Sequence, residues 1–138
     1  MGKKVLQLGN PVLRKKSKRV NLKSINSNEI DNVINRLITV IERIKKISSY
    51  HGNGLSAPQI GYNYRIIVLY FNNEYNILIN PKISNKSKQV SEYSEGCLSF
   101  FYLRGKVKRN IKITVVAYNE KGDMIEHSFT GDLASLVQ

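Results

Sequence analysis

Cysteine occurs once in these 138 residues, so no intramolecular disulfide can form and a disulfide-stapled secreted scaffold is excluded. Cytosol or an organelle matrix is the default compartment for such a chain. Long apolar runs are also missing. No stretch approaches the ~18 apolar residues needed to span a bilayer, and Met1 to Gln7 holds no apolar leader core, so no membrane association is expected. Acidic residues are scarce: Asp+Glu 10 against Lys+Arg 22, a formal net charge of +12. That balance raises the local concentration of the chain near polyanions such as RNA. The basic residues are nevertheless dispersed, without a run of five. The nearest approach, Arg14-Lys15-Lys16-Ser17-Lys18-Arg19, has no interleaved aromatics on which bases stack, so no DNA partner is expected. Repeats and low-complexity tracts are absent, and the length suits one hydrophobic core, so residues 1–138 are expected to form a single domain.

Ile30, Val33, Ile34, Leu37, Ile38, Ile41, Ile44 and Ile47 recur at spacings of three and four, which predicts one amphipathic helix from about Glu29 to Ile47. Asn26, three residues before Glu29, has the spacing of a capping box. The breaker cluster Ser48 to Gly54 ends that helix, and an early turn is marked by Asn10-Pro11. Arg65 to Phe71 reads as a buried strand, Asn72-Asn73 as a turn, and Tyr75 to Ile79 as the returning arm, which Asn80-Pro81 is expected to end. Further strands are predicted at Tyr93 to Leu98, Gly105 to Lys108, Ile111 to Tyr118 and Met124 to Phe129, with a hairpin turn over Asn119 to Asp123. A second helix begins near Asp132. The order implies an α+β fold, an N-terminal helix packed on mostly antiparallel sheets.

Gly52-Asn53-Gly54 lacks the Lys-Ser/Thr of a P-loop and the third glycine of a dinucleotide fingerprint, and it follows a helix where both motifs require a strand. The glycines serve either a tight turn alone or a site that uses Gln59, a long amide just after the rigid Pro58 and suited to holding a developing oxyanion. A lone cysteine is more often a small buried hydrophobe than a ligand. Glu95, Gly96 and Ser99 around Cys97 are not core residues, however, and favour a cleft. The two histidines are His51 and His127, and a thiolate–histidine pair between Cys97 and His127 is the alternative nucleophilic arrangement.

Three ordered segments carry a resemblance over nearly the whole chain. Gly54-Leu55-Ser56-Ala57-Pro58-Gln59 and Glu95-Gly96-Cys97-Leu98-Ser99 resemble the first two motifs of the peptide deformylases, and Phe129 to Gln138 resembles the lead-in to that family's H-E-x-x-H helix. Leu8 to Arg14, and Arg104-x-x-Val107-x-Arg109 with Gly122 beyond it, fit as well. Ser56 stands where alanine is commoner, Phe101 where proline is usual, and Asn53 where an apolar residue is usual.

The resemblance implies metal-dependent hydrolytic removal of the formyl group from N-formylmethionyl nascent peptides, with the ribosome as a further partner. It implies Fe²⁺, with Zn²⁺ or Ni²⁺ as substitutes, held by Cys97 and two helical histidines. The Gln59 amide and the Leu98 N–H would stabilise the oxyanion, and a Glu95–Arg109 pair would brace the Cys97 loop. Asn53, Gly54, Tyr93, Ser135 and Leu136 would contact substrate. The resemblance would place the first of the two histidines directly after Gln138. The domain is therefore expected to be C-terminally truncated, to bind metal weakly and to be inactive as it stands. The alternative is a catalytically dead relative that binds formyl-Met peptides or ribosomal RNA.

Overall fold

A computed structural model describes residues 4–49 and 51–138. Met1, Gly2, Lys3 and Tyr50, which entered the readings of the N-terminus and of the breaker cluster, lie outside them.

Helix α1 (Asn28–Ile47) buries Ile30, Val33, Ile34, Leu37 and Ile41. These are the stripe residues that the three-and-four spacing put on one face. The last of the stripe, Ile47, is instead 86% exposed, at the C-terminal end of the helix. The cap also differs from expectation: Ser27, not Asn26, accepts from the Ile30 N–H, over 3.4 Å. A hydroxyl three residues before that N–H has the reach for this, and Asn26 lies one position too early.

A five-stranded antiparallel sheet runs in the order β1 (Gly54–Ser56), β2 (Ile66–Phe71), β3 (Glu74–Lys86), β6 (Lys112–Tyr118), β7 (Met124–Thr130). Side chains alternate across it. Ile66, Val68, Ile77 and Ile79 pack with α1, whereas Leu69, Leu78, Ile113, Val115 and Phe129 form a second core with Ala134 of helix α2 (Gly131–Val137). A separate two-stranded ribbon, β4 (Val90–Gly96) with β5 (Arg104–Asn110), carries Cys97 at its end. The α+β architecture with mostly antiparallel pairing is the one expected from the element order. Among the described residues no helix is long and apolar enough to cross a membrane.

Asn72 and Asn73 both take positive φ, 52° and 61°, as a tight hairpin between β2 and β3 requires. The strand expected to end at Asn80-Pro81 continues to Lys86. Asn80 adopts φ 53° at a register shift between Ile79 and Lys82, so the missing Pro81 N–H falls where the ladder is already interrupted. The Asn80 carboxamide turns inward, accepting from Val20 N at 2.8 Å and donating to Val20 O at 2.9 Å.

Candidate active site

An open cleft of about 730 Å³ lies between β1, the β4–β5 ribbon and α2. A smaller hollow of about 130 Å³ between β3 and β6, lined by Asn85, Lys86, Ser87, Lys112, Ile113 and Thr114, contains neither a thiol nor a carboxylate. Asn53, Gly54, Gln59, Tyr93, Glu95, Cys97, Leu98, Arg109, Ser135 and Leu136 all line the larger cleft. Residues up to 83 positions apart in sequence thus meet in one place, from Asn53 to Leu136. His127 does not line it: on β7 its ring stacks on Phe129 at 5.8 Å, so the Cys97–His127 pair is not formed. His51 lines the cleft, its Nδ1 2.8 Å from Ser48 Oγ and its ring stacked on Phe101.

Gln59 sits in a 3-10 turn, Ala57–Ile60, which follows β1 directly and is closed by Gly61 at φ 90°. Its Oε1 accepts from Ser56 N at 2.9 Å and from Ser56 Oγ at 3.1 Å. The amide nitrogen then faces Cys97 Sγ at 3.6 Å and Ser99 Oγ at 3.2 Å. Cys97 is exposed and immediately precedes the 3-10 turn Leu98–Phe100. The Leu98 N–H, first in that turn, is one of the donors that a short helix leaves without an internal acceptor.

Behind this wall the N-terminal segment ties the two turns together. Leu6 N donates to Gln59 O at 2.7 Å, Gln7 Nε2 to Leu98 O at 2.9 Å, and Leu8 N to Ser99 O at 2.9 Å.

Glu95 joins three elements. Arg109 of β5 grips its carboxylate with Nε and Nη2, each at 2.9 Å, and Ser135 Oγ of α2 donates to Oε1 at 2.7 Å. The Arg109 hydrogen bonds hold the Glu95 carboxyl below the usual carboxylate range, against the opposing effect of burial and with help from Ser135. In return Glu95 raises the Arg109 guanidinium. Ser135, expected to touch substrate, is 7% exposed and spends its hydroxyl on Glu95. Gln138 pins the other end of α2: it donates to Asn110 O at 2.7 Å and accepts from Asn110 N at 3.1 Å. At Gly54 the backbone passes so close that an added Cβ would meet Leu69 Cδ2 at 3.1 Å and Leu136 Cδ1 at 3.5 Å, so a side chain there would enter the cleft.

The donor set does not by itself fit the divalent metal that the resemblance implies. Cys97 offers a thiol, but Glu95 is taken by Arg109 and Ser135, and no three His, Cys, Asp or Glu side chains converge among the described residues. A closed tetrahedral site needs four ligands and a catalytic one three.

Gln7 and Gln138 have no role in the sequence reading, and Ser56 and Ser99 enter it only as members of the two motifs. For Ser56 a signal existed, since Ser56-x-x-Gln59 is the spacing of a capping box. Gln138 carries no local signal, because its partner Asn110 is distant in sequence.

Residues 2–138 match the family model described as polypeptide deformylase. The chain is 38% identical to the peptide deformylase of Pseudothermotoga lettingae, over 100% of this chain and 75% of that protein. It is 36% identical to that of Natranaerobius thermophilus, over 99% of this chain and 82% of that protein. The solved peptide deformylase structure from Thermotoga maritima superposes with a TM-score of 0.87 at 30% identity, covering 100% of this chain and 88% of that one. A peptide deformylase structure from Legionella pneumophila gives 0.89 at 30% identity, covering 100% and 78%.

Proposed function

This chain belongs to the polypeptide deformylase family, hydrolases that act on formylmethionine peptides, and from that premise we propose that its cleft receives the N-formylmethionyl end of a nascent peptide. The observation that carries this is the Gln59 amide nitrogen facing Cys97 Sγ across 3.6 Å in an open cleft. A fixed N–H donor beside the reacting centre stabilises charge that develops on a carbonyl oxygen, and costs no reorganisation at the moment of reaction. Gln59 Nε2 and the Leu98 N–H are assigned as the two donors to the formyl oxygen. Glu95 and Arg109 position the Cys97 loop without touching substrate. Gly54 gives the peptide backbone room to approach, while Asn53, Tyr93 and Leu136 line its path and Ser135 supports the pocket from behind through Glu95.

For a divalent metal these residues supply one thiol ligand, Cys97, and not a complete set. The 138-residue protein is assigned weak Fe²⁺ or Zn²⁺ binding and no turnover of its own. A compartment without disulfide chemistry, cytosol or organelle matrix, suits the single exposed thiol.

The test is titration of the protein with formyl-Met-Ala-Ser and with its unformylated counterpart, followed by metal analysis and a deformylation assay. Preference for the formylated peptide, without turnover, is the expected result. Equal binding of both peptides, or of neither, overturns the substrate assignment. Stoichiometric metal together with chelator-sensitive turnover overturns the assignment of inactivity. Binding of RNA that weakens steeply with salt, in place of peptide binding, would favour a partner recruited by the +12 charge.

A further inference from the structure

A carboxamide has two ends of nearly equal size and opposite hydrogen-bonding character, so a half-turn of Gln59 about its last bond would aim a lone pair, not a donor, at the site. One contact decides which way it points, and a second reinforces it. The Ser56 N–H can only donate, and it lies 2.9 Å from Oε1; the Ser56 hydroxyl is a second neighbour of the same oxygen at 3.1 Å. On the far side the nitrogen meets Cys97 Sγ at 3.6 Å and Ser99 Oγ at 3.2 Å. Strand β1 holds Ser56 itself, through its pairing with Ile67.

We propose that Ser56 is a positioning residue whose hydroxyl, as second donor to Gln59 Oε1, keeps the Gln59 NH₂ turned toward Cys97. The inference rests on the reading of Gln59 as an oxyanion donor and adds the group that orients it. Alanine at this position would retain the backbone donor and lose the hydroxyl, leaving the amide with one restraint in place of two.

The experiment uses the ¹⁵N-labelled 138-residue protein, in which the Gln59 side-chain NH₂ pair is assigned by comparison with Gln59→Glu. Carbamidomethylation of Cys97 with iodoacetamide is expected to shift that pair in the wild type, since the sulfur lies next to it. In Ser56→Ala and Ser56→Gly the response to Cys97 blocking should shrink, and hydrogen exchange of the NH₂ pair should rise about fivefold, the change produced by losing one neutral hydrogen bond. Ser56→Thr, which keeps a hydroxyl, should behave as wild type. The backbone amide spectrum reports folding in every variant, so a structural loss is seen separately. If the wild-type pair ignores Cys97 blocking, the placement of Gln59 fails and the proposal with it. A wild-type response that persists unchanged in both hydroxyl-less variants overturns the role of Ser56 alone.

Discussion

Ser135 Oγ donates to Glu95 Oε1 over 2.7 Å, and through this contact helix α2 is bonded to the strand that leads into Cys97. A seven-residue helix is far below the ~12 residues at which an isolated helix is even marginal in water, so α2 depends on packing and on such ties. Ser135→Ala is expected to destabilise the protein by about 1–2 kcal/mol, the range for a bond to a charged acceptor that stays partly solvated. Arg109→Ala should cost more, since it leaves a part-buried carboxylate without its main partner. Urea denaturation of both variants checks the order, and a smaller effect for Arg109→Ala would contradict it.

Cys97 is exposed, so its thiol should react with a small aromatic disulfide at a rate close to that of the unfolded chain. Cys97→Ser should fold with a midpoint within about 0.5 kcal/mol of wild type, as expected of a surface substitution. Leu37→Ala is the contrast: that side chain is 0% exposed, and its truncation should cost about 2–5 kcal/mol by opening a cavity. Strong protection of the thiol, or a core-sized loss for Cys97→Ser, would argue for a packing role.

Asn80 combines a positive φ with two hydrogen bonds to Val20. Asn80→Gly relieves the backbone but leaves the buried Val20 groups without partners, at a cost of about 1–3 kcal/mol. Asn80→Ala carries the same loss plus about 1 kcal/mol for the left-handed conformation. Equal stabilities of the two variants would show that the backbone term is absent.

The Tyr64 hydroxyl donates to Glu29 Oε1 at 2.5 Å, and that bond, with burial and the nearby carboxylate, raises the Tyr64 pKa above its ordinary value. A folded pKa raised above the unfolded one means that the interaction contributes fully below the unfolded value, near 10. The contribution is lost as pH rises through the folded value, where a phenolate would face a carboxylate. A near-ultraviolet absorbance titration should therefore show a late-titrating tyrosine that is missing in Tyr64→Phe and moved to lower pH in Glu29→Gln. A Glu29→Gln profile identical to wild type would show that the carboxylate does not raise Tyr64.

Several features needed only local chemistry. The period of α1 follows from its spacing of isoleucine and leucine, and the β2–β3 hairpin from two asparagines that tolerate positive φ. The two motifs around Gln59 and Cys97 were readable because each is contiguous. Tertiary structure decided the rest. Asn80-Pro81 looks locally like a strand end, yet the strand continues, because Val20, 60 residues earlier, satisfies the Asn80 side chain at the register shift. Ser135 lines the cleft, and its hydroxyl serves Glu95, 40 positions away. The orientation of the Gln59 amide, the lacing of residues 6–8 behind it and the Gln138–Asn110 clamp are likewise contacts between groups that become neighbours only when the two sheets and α2 pack. Sequence determines which groups can donate or accept; the packing decides which of them meet, because a hydrogen bond forms only where distance and direction both allow it.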